Sequence, residues 1–380
     1  MTARIEAPVL PVILAHPLAG ATGREIGQQP AAWRQVAADV AARQETVDAF
    51  LAPLLALADL RIVLTGAGTS AFVGQLLAPA LTRRLRRRID AVPTTDIVSN
   101  PAEVFAEDVP TLLVSFARSG NSPESIAATA LADQCLRDVH HLIVTCDPDG
   151  NLARAHAHAE HSLRVLTPPQ TNDQGFAMTS SFTSMTLAAW LSLTPGDQSA
   201  AVDRVATAGE AVLAERADAV ARLVSQRYRR VIYLGSGPLT GLARESALKV
   251  LELTAGAIVG CFDSSLGFRH GPKSVIDDAS LVVVYRSTDP YTSQYDDDIA
   301  AELRAQMGDE NVVVIGSGEW AMPGVAGLSD VLVALPFVLI AQMYALGTSL
   351  ALGMTPDAPS PSGEVNRVVQ GVTVHAYPAG

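Results

Sequence analysis

A chain of 380 residues is long enough for two or three domains, and 48% hydrophobic against 17% charged residues supplies material for a large buried core. A formal net charge of −12 argues against a nucleic-acid partner held by bulk electrostatics, and an anionic ligand would need local donors. Cys135, Cys146 and Cys261 are too scattered for a disulfide framework or a zinc spacing, which suits a reducing cytoplasm.

Residues 1–30 are rich in Pro and Gly and are expected to be irregular. Pro8, Pro11, His16 and Pro17 interrupt the apolar run there, so no signal peptide is expected. From Ala31 to Leu60 the apolar residues Trp33, Val36, Val40, Val47, Phe50 and Leu54 follow a helical pattern. RIVLTGAGTSAFVGQLL then reads as a buried strand, Ile62–Leu64, a Gly-rich turn and a helix. The glycines allow close backbone approach and the helix start offers N–H groups, so Gly68, Thr69 and Ser70 are candidate anion contacts. Many α/β folds carry such a turn for structural reasons alone. The run Arg83, Arg84, Arg86, Arg87 and Arg88 fits a solvated helix end, where cations are favoured, or a patch for an anionic partner.

A second strand, Thr111–Ser115, leads into FARSGNSPESIAATALA. Ser122 is placed to cap a helix that begins at Pro123, with Glu124 in its first turn. Arg118, Ser119, Gly120, Asn121 and Ser122 therefore crowd a positive helix end. Hydroxyls, backbone amides and a guanidinium there make a phosphate site, although a well-capped helix alone has a similar signature. HLIVTCD, residues 141–147, is a third strand. His156, His158 and His161 share no clear metal geometry and are expected on a surface segment. A polar loop then enters a helix through Thr179, Ser180 and Ser181, and Thr179 and Ser180 join the candidate substrate contacts. The turn Thr194-Pro195-Gly196-Asp197 marks a domain boundary.

The next part repeats the first. A long helix over 198–226 precedes VIYLGSGPLTGLA, a strand and a Gly-Ser-Gly turn. LVVVYRS at 281–287 matches LLVSFAR at 112–118, and NVVVIGS at 311–317 matches HLIVTCD, an offset of roughly 170 residues. Strands alternating with helices mean parallel sheets covered on both faces, with ligands at the carboxyl ends of strands. Where the first copy has its anion loop, the second has Ser287-Thr288-Asp289-Pro290, a poorer anion site. The second copy instead carries Glu245, Lys249 and Glu252, spaced by four and three on one helix face, then Gly256 at the helix end and a loop closing in Arg269-His270-Gly271-Pro272. A carboxylate, an amine and an imidazole are suited to moving protons on a carbon acid; a structural ion pair beside a loop histidine fits the same residues. Val331–Gly353 lacks charge and is long enough to span a bilayer, but Pro336, Gln342 and its position after soluble α/β sequence make it a buried core or interface helix.

Several stretches together, SFARSGNSPES, GFAMTSSFTSM, ARESALKVLELTAG, DSSLGFRHGPKS, STDPYTSQYD and GEVNRVVQGVTV, resemble the sugar isomerase (SIS) family. Over nearly the whole length the chain is similar to the tagatose-6-phosphate ketose/aldose isomerase and galactosamine-6-phosphate deaminase branch. The resemblance implies two tandem SIS domains, each a flavodoxin-like three-layer αβα unit. We expect a segment 1–30, a phosphate-binding domain 31–196, an acid/base domain 197–355, and a tail 356–380 over the site. It implies Glu252 as the proton-transfer base with Lys249 beside it, His270 as the ring-opening group, and a phosphate held by Ser70, Ser119 and Ser122, with Arg118 in place of the glutamine of glucosamine-6-phosphate synthase. That synthase's tail lysine falls on Gln370, which removes a Schiff-base amine, and its glutaminase cysteine is missing at the start. The resemblance further implies a sugar-phosphate substrate, no cofactor or metal, no nucleic-acid or membrane partner, and a homodimer or larger assembly in which His270 enters a neighbour's site. The competing classes are an isomerase of tagatose 6-phosphate, a non-catalytic sugar-phosphate sensor and a scaffold.

Overall fold

The computed structural model describes residues 13–360, 366–369 and 371–378. They divide into two compact units: one takes in the described residues of 31–173, 180–203 and 366–378, the other those of 13–30, 174–179 and 204–360. The described residues before 31 thus group with the second sheet, and those after 365 with the first. Each unit holds one parallel sheet flanked by helices.

The first sheet contains β1 (Arg61–Thr65), β2 (Ile89–Ala91), β3 (Thr111–Ala117), β4 (Val139–Thr145) and β5 (Ser162–Leu166), in the order β2-β1-β3-β4-β5. Every residue of β3 is buried, as a central strand covered on both faces requires. On one face Val63 and Leu113 pack with Ile97, Phe105, Ala128 and Leu131. Burial of each large side chain stabilises the unit by roughly 1.5–3 kcal/mol. The chain leaves β1 for β2 on one side and returns to β3 on the other, so the switch point lies between β1 and β3. Thr65 pairs with Ser115, which sets the turn after β1 beside the turn after β3.

The strands β2 and β5 have no expectation in the sequence. The first is three residues long and follows Arg86, whose left-handed φ of 56° ends the helix Thr69–Leu85. The second is half-covered, with alternating burial, as an edge strand is. The helix expected over 31–60 is two, Gln29–Ala42 and Gln44–Leu55.

The second sheet contains β6 (Arg230–Gly235), β7 (Val259–Asp263), β8 (Ser280–Tyr285) and β9 (Val312–Ile315), in the order β7-β6-β8-β9. This repeats the first four positions of the other sheet, with β6 standing for β1 and β8 for β3. The helix Pro238–Leu253 packs on β6 and β7 and against the helix Asp330–Ala351. The latter is the one helix among the described residues long and apolar enough to cross a membrane, and Val331–Leu350 are all buried. It is a core helix of its own unit, and its Gln342 accepts a hydrogen bond from Gln29 Nε2 at 2.6 Å.

Further expectations need correction. The stretch read as a loop after Gly256 holds β7. The segment before residue 30 is not irregular where it is described: Pro17–Ala19 form a 3-10 turn and Gly20–Gly27 a helix. The cap is remote in sequence, because the Asp357 carboxylate accepts from Ala21 N at 2.7 Å and Thr22 N at 2.8 Å. The helix read over 198–226 breaks into Ser199–Glu215 and Ala217–Ser225. His156 is buried rather than on the surface, its Nδ1 2.8 Å from Ser162 Oγ and its ring centroid 4.7 Å from that of His141.

Burial, reinforced by the facing His141, holds the His156 pKa down at about 4 against an ordinary 6.5. Asp133, 2.8 Å from His141 Nε2, offsets only part of this. The folded chain therefore takes up this proton later than the unfolded one. Its stability is complete above pH 6.5 and falls as pH drops from there to about 4. Denaturant titrations at pH 7 and pH 4.5 should show wild type losing roughly 2 kcal/mol more than His156→Gln, after discounting for solvent screening. Equal losses would contradict the assignment.

Candidate active site

The turn after β1 reaches the helix Thr69–Leu85 through Gly68, whose φ of 56° suits glycine. Gly66 admits no side chain, since a Cβ there would lie 2.6 Å from Ser70. Thr69 and Ser70 are buried in the first helical turn. Beside them, the turn after β3 passes through Gly120 at φ 64° to the helix Pro123–Cys135. Ser122 caps it, accepting from Ser125 N at 3.3 Å and pairing with Ser125 Oγ at 2.6 Å. The Ser119 hydroxyl accepts from Asn121 N at 3.3 Å, and Asn121 Oδ1 accepts from Asn151 N at 3.0 Å. Two helix N-termini, three serines and a guanidinium thus follow the adjacent ends of β1 and β3, the switch point of the sheet.

Arg118 is 7% exposed and donates from Nη2 to the Arg367 carbonyl at 2.6 Å. The Arg367 side chain returns to the same unit, with Nε donating to the Asp173 carbonyl at 3.0 Å. A described piece of the tail therefore lies on Arg118. Gln370 lies outside the described residues. The candidates Thr179 and Ser180 are both fully buried. The Ser180 hydroxyl donates to Asp173, whose carboxylate also takes Ser181 N at 2.9 Å and Ser181 Oγ at 2.6 Å. That carboxylate caps the helix Ser180–Leu193, so Ser180 serves the helix start here.

In the other unit the helix Pro238–Leu253 carries a buried charge cluster. Lys249 is wholly buried, with Nζ 2.5 Å from Glu252 Oε2 and 3.3 Å from Glu245 Oε1. Burial pulls the Lys249 pKa down, but the two carboxylates outweigh it and the net shift is upward, so the amine is an ammonium. Glu245 is also wholly buried, whereas the Glu252 side chain is 22% exposed. The only open end of the cluster is therefore the Glu252 carboxylate. The helix exits through Ala255 and Gly256, both at positive φ.

His270 follows the short 3-10 turn Gly267–Arg269 and is exposed, its N–H donating to the Gly267 carbonyl at 2.9 Å. The turns after β6 and β8 in this unit hold carboxylates where the first unit has its serine-rich turns. Asp296 accepts from Ser236 Oγ, Ser265 Oγ and Ser287 N, at 2.6, 2.5 and 2.9 Å. Asp330 accepts from Ser287 Oγ, Thr288 N and Thr288 Oγ1, at 2.7, 2.8 and 2.8 Å. Asp296 and Asp330 already take those donors, which fits the poorer anion site expected at 287–290.

Comparison with known proteins decides the family. A Streptomyces coelicolor protein, named provisionally as a D-galactosamine-6-phosphate deaminase, is 56% identical over 93% of this chain and 95% of its own length. The chain belongs to the sugar isomerase (SIS) family. The SIS domain model itself matches residues 54–195. A Shewanella D-galactosamine-6-phosphate deaminase is 45% identical over 94% of this SIS chain and 92% of its own. The solved tagatose-6-phosphate ketose/aldose isomerase of Escherichia coli superposes with a TM-score of 0.88 at 41% identity, covering 96% of this chain and 99% of that one. Within the SIS family the chain falls in the branch that these relatives define.

Sequence reading did not single out Asp173, Asp296, Asp330 or Arg367 in this SIS chain. Arg367 and Asp296 lie inside GEVNRVVQGVTV and STDPYTSQYD, which carry the resemblance. The clue available was a polar residue in the apolar pattern of a helix, since Asp296 sits among Ile299, Ala300 and Leu303.

Proposed function

We propose that this protein is an amino-sugar phosphate deaminase/isomerase that converts galactosamine 6-phosphate, or a related hexosamine 6-phosphate, to a ketohexose 6-phosphate and ammonia. The observation that carries this reading is the Glu245–Lys249–Glu252 cluster, in which a buried ammonium holds a single accessible carboxylate. The two sheets are read as two tandem flavodoxin-like SIS domains with divided labour. The substrate phosphate binds at Gly68, Thr69, Ser70, Arg118, Ser119, Asn121 and Ser122, which fixes the far end of the sugar and lowers the entropy of reaching the reactive geometry. His270 passes a proton between the ring oxygen and the anomeric hydroxyl, opening the pyranose. Glu252 removes the C2 proton and returns it to C1 through an enolamine, and the Lys249 ammonium stabilises the anionic charge that develops. The resulting C2 imine takes up water and releases ammonia. With a hydroxyl at C2 the same shuttle is an aldose–ketose isomerisation. The exposure of His270 supports a homodimer or larger assembly with shared sites.

The test is ammonia release and ketose formation from galactosamine and glucosamine 6-phosphates and from tagatose 6-phosphate. Ammonia from galactosamine 6-phosphate is the expected result, and Ser119→Ala with Ser122→Ala raises its KM by about 10-fold or more. Binding without either product would favour a sensor. An unchanged KM in the double variant would remove the phosphate from this loop.

A further inference from the structure

The loop that carries His270 has no strand or helix of its own beyond single 3-10 turns, Gly267–Arg269 and Pro272–Val275. Phe268 packs in one buried cluster with Ile232, Leu234, Val282 and Val284 of the sheet, and the helix Thr292–Met307 grips the loop through four of its residues. Asp296 accepts from Ser265 Oγ at 2.5 Å, both residues wholly buried. Ile299 and Leu303 pack in one buried cluster with Phe268, which is 1% exposed. Glu302 Oε2 accepts from Arg269 Nε at 2.7 Å, while its Oε1 accepts from Lys273 Nζ. Positions 296, 299, 302 and 303 recur at steps of three and four, so they share one face of the helix. The gripped residues are 265, 268, 269 and 273, which bracket His270 on both sides.

Asp296 also accepts from Ser236 Oγ, behind β6, and Ser287 N, behind β8. It therefore ties the loop to the carboxyl ends of the central strands, the frame from which the helix carrying Glu252 also departs. The hydrogen bonds from Lys273 and Arg269 hold the Glu302 carboxyl below its ordinary range, so it is charged at neutral pH. Ion pairs this exposed contribute little stability, on the order of 0–1 kcal/mol. Their consequence is geometric: a carboxylate shared between two cations fixes where the intervening residues sit.

We infer that Asp296 and Glu302 are positioning residues for His270, one anchoring the start of its loop to the sheet and the other clamping the two cations that flank it. The inference rests on the proposed role of His270 in ring opening. At the carboxyl ends of β6 and β8 the Ser236 hydroxyl and Ser287 N are held by Asp296, and Asp296 holds the loop through Ser265.

The experiment compares Glu302→Gln, Asp296→Asn, His270→Asn and the double variant Glu302→Gln/His270→Asn on galactosamine 6-phosphate. Amide hydrogen exchange of residues 264–273 is followed in the same proteins. Glu302→Gln is expected to lower kcat by about 10- to 100-fold with KM changed less than about twofold, because a misplaced group costs rate rather than phosphate affinity. In the His270→Asn background the same change should lower kcat no further, since the two act as one unit. Exchange over 264–273 should quicken while β6 and β8 stay protected. An unchanged kcat in Glu302→Gln, or losses that multiply in the double variant, overturns the inference. If wild type turns over no sugar phosphate, the functional reading falls, and the exchange result alone decides whether the clamp holds the loop. Should Asp296→Asn fail to fold, Glu302→Gln, on a partly exposed side chain, carries the test.

Discussion

Glu252→Gln is expected to bind sugar phosphate normally and to turn it over about 10²–10⁴ times more slowly, a loss of about 3–5 kcal/mol in transition-state stabilisation. The amide keeps the size of the carboxylate and still accepts a hydrogen bond from Lys249, 2.5 Å away in the wild type. It cannot take a proton from carbon. The loss should therefore fall on kcat, with KM within a few-fold. Exchange of the C2 hydrogen with deuterated solvent should stop in parallel. Turnover near the wild-type rate would remove Glu252 from the base role, and a loss confined to KM would make it a binding group.

Lys249→Met is expected to be the most destabilising single change in the cluster. It removes the ammonium between two carboxylates and leaves Glu245, which is wholly buried, without its 3.3 Å partner. Breaking a buried pair in this way is worth about 3–5 kcal/mol of lost stability. Glu245 then prefers its neutral form, so its folded pKa rises above the unfolded value near 4.3. The variant's deficit should be small at low pH and grow as pH rises through that raised value. In the wild type the slope has the same sign but lies in a more alkaline window: the raised Lys249 pKa stabilises the fold up to the ordinary lysine range, and that stability is lost only as pH rises through the folded value. Adding Glu245→Gln to Lys249→Met should restore much of the stability without restoring turnover. Denaturant unfolding at pH 5 and pH 8 reads both effects. No recovery in the double variant would show that packing, not charge, is what Lys249 supplies.

Much of this molecule was legible along the chain. β3 is mostly apolar, with Leu112, Leu113, Val114, Phe116 and Ala117, because it is covered on both faces, and the Ser122–Pro123–Glu124 run announces a helix start through local capping alone. Glu245, Lys249 and Glu252 are spaced to share a helix face, so their meeting needed only the helix. The edge strands were harder. β2 has three residues and β7 exposes Val259 and Phe262, so neither has the buried periodicity that marks a strand. The hidden helix at Gly20–Gly27 depends on a cap from Asp357, a contact no local window contains.

By itself the sequence determined what is set by neighbours a few residues apart: the alternation of strand and helix, the capped turn at Ser122, and the carboxylate–ammonium stripe ending in Glu252. Tertiary structure decided what depends on partners far along the chain. It set the turns after β1 and β3 side by side, filled the equivalent place after β6 and β8 with Asp296 and Asp330, and buried Lys249 deeply enough that its charge needs both glutamates. Periodicity and capping are short-range, whereas burial and charge pairing are properties of the assembled core.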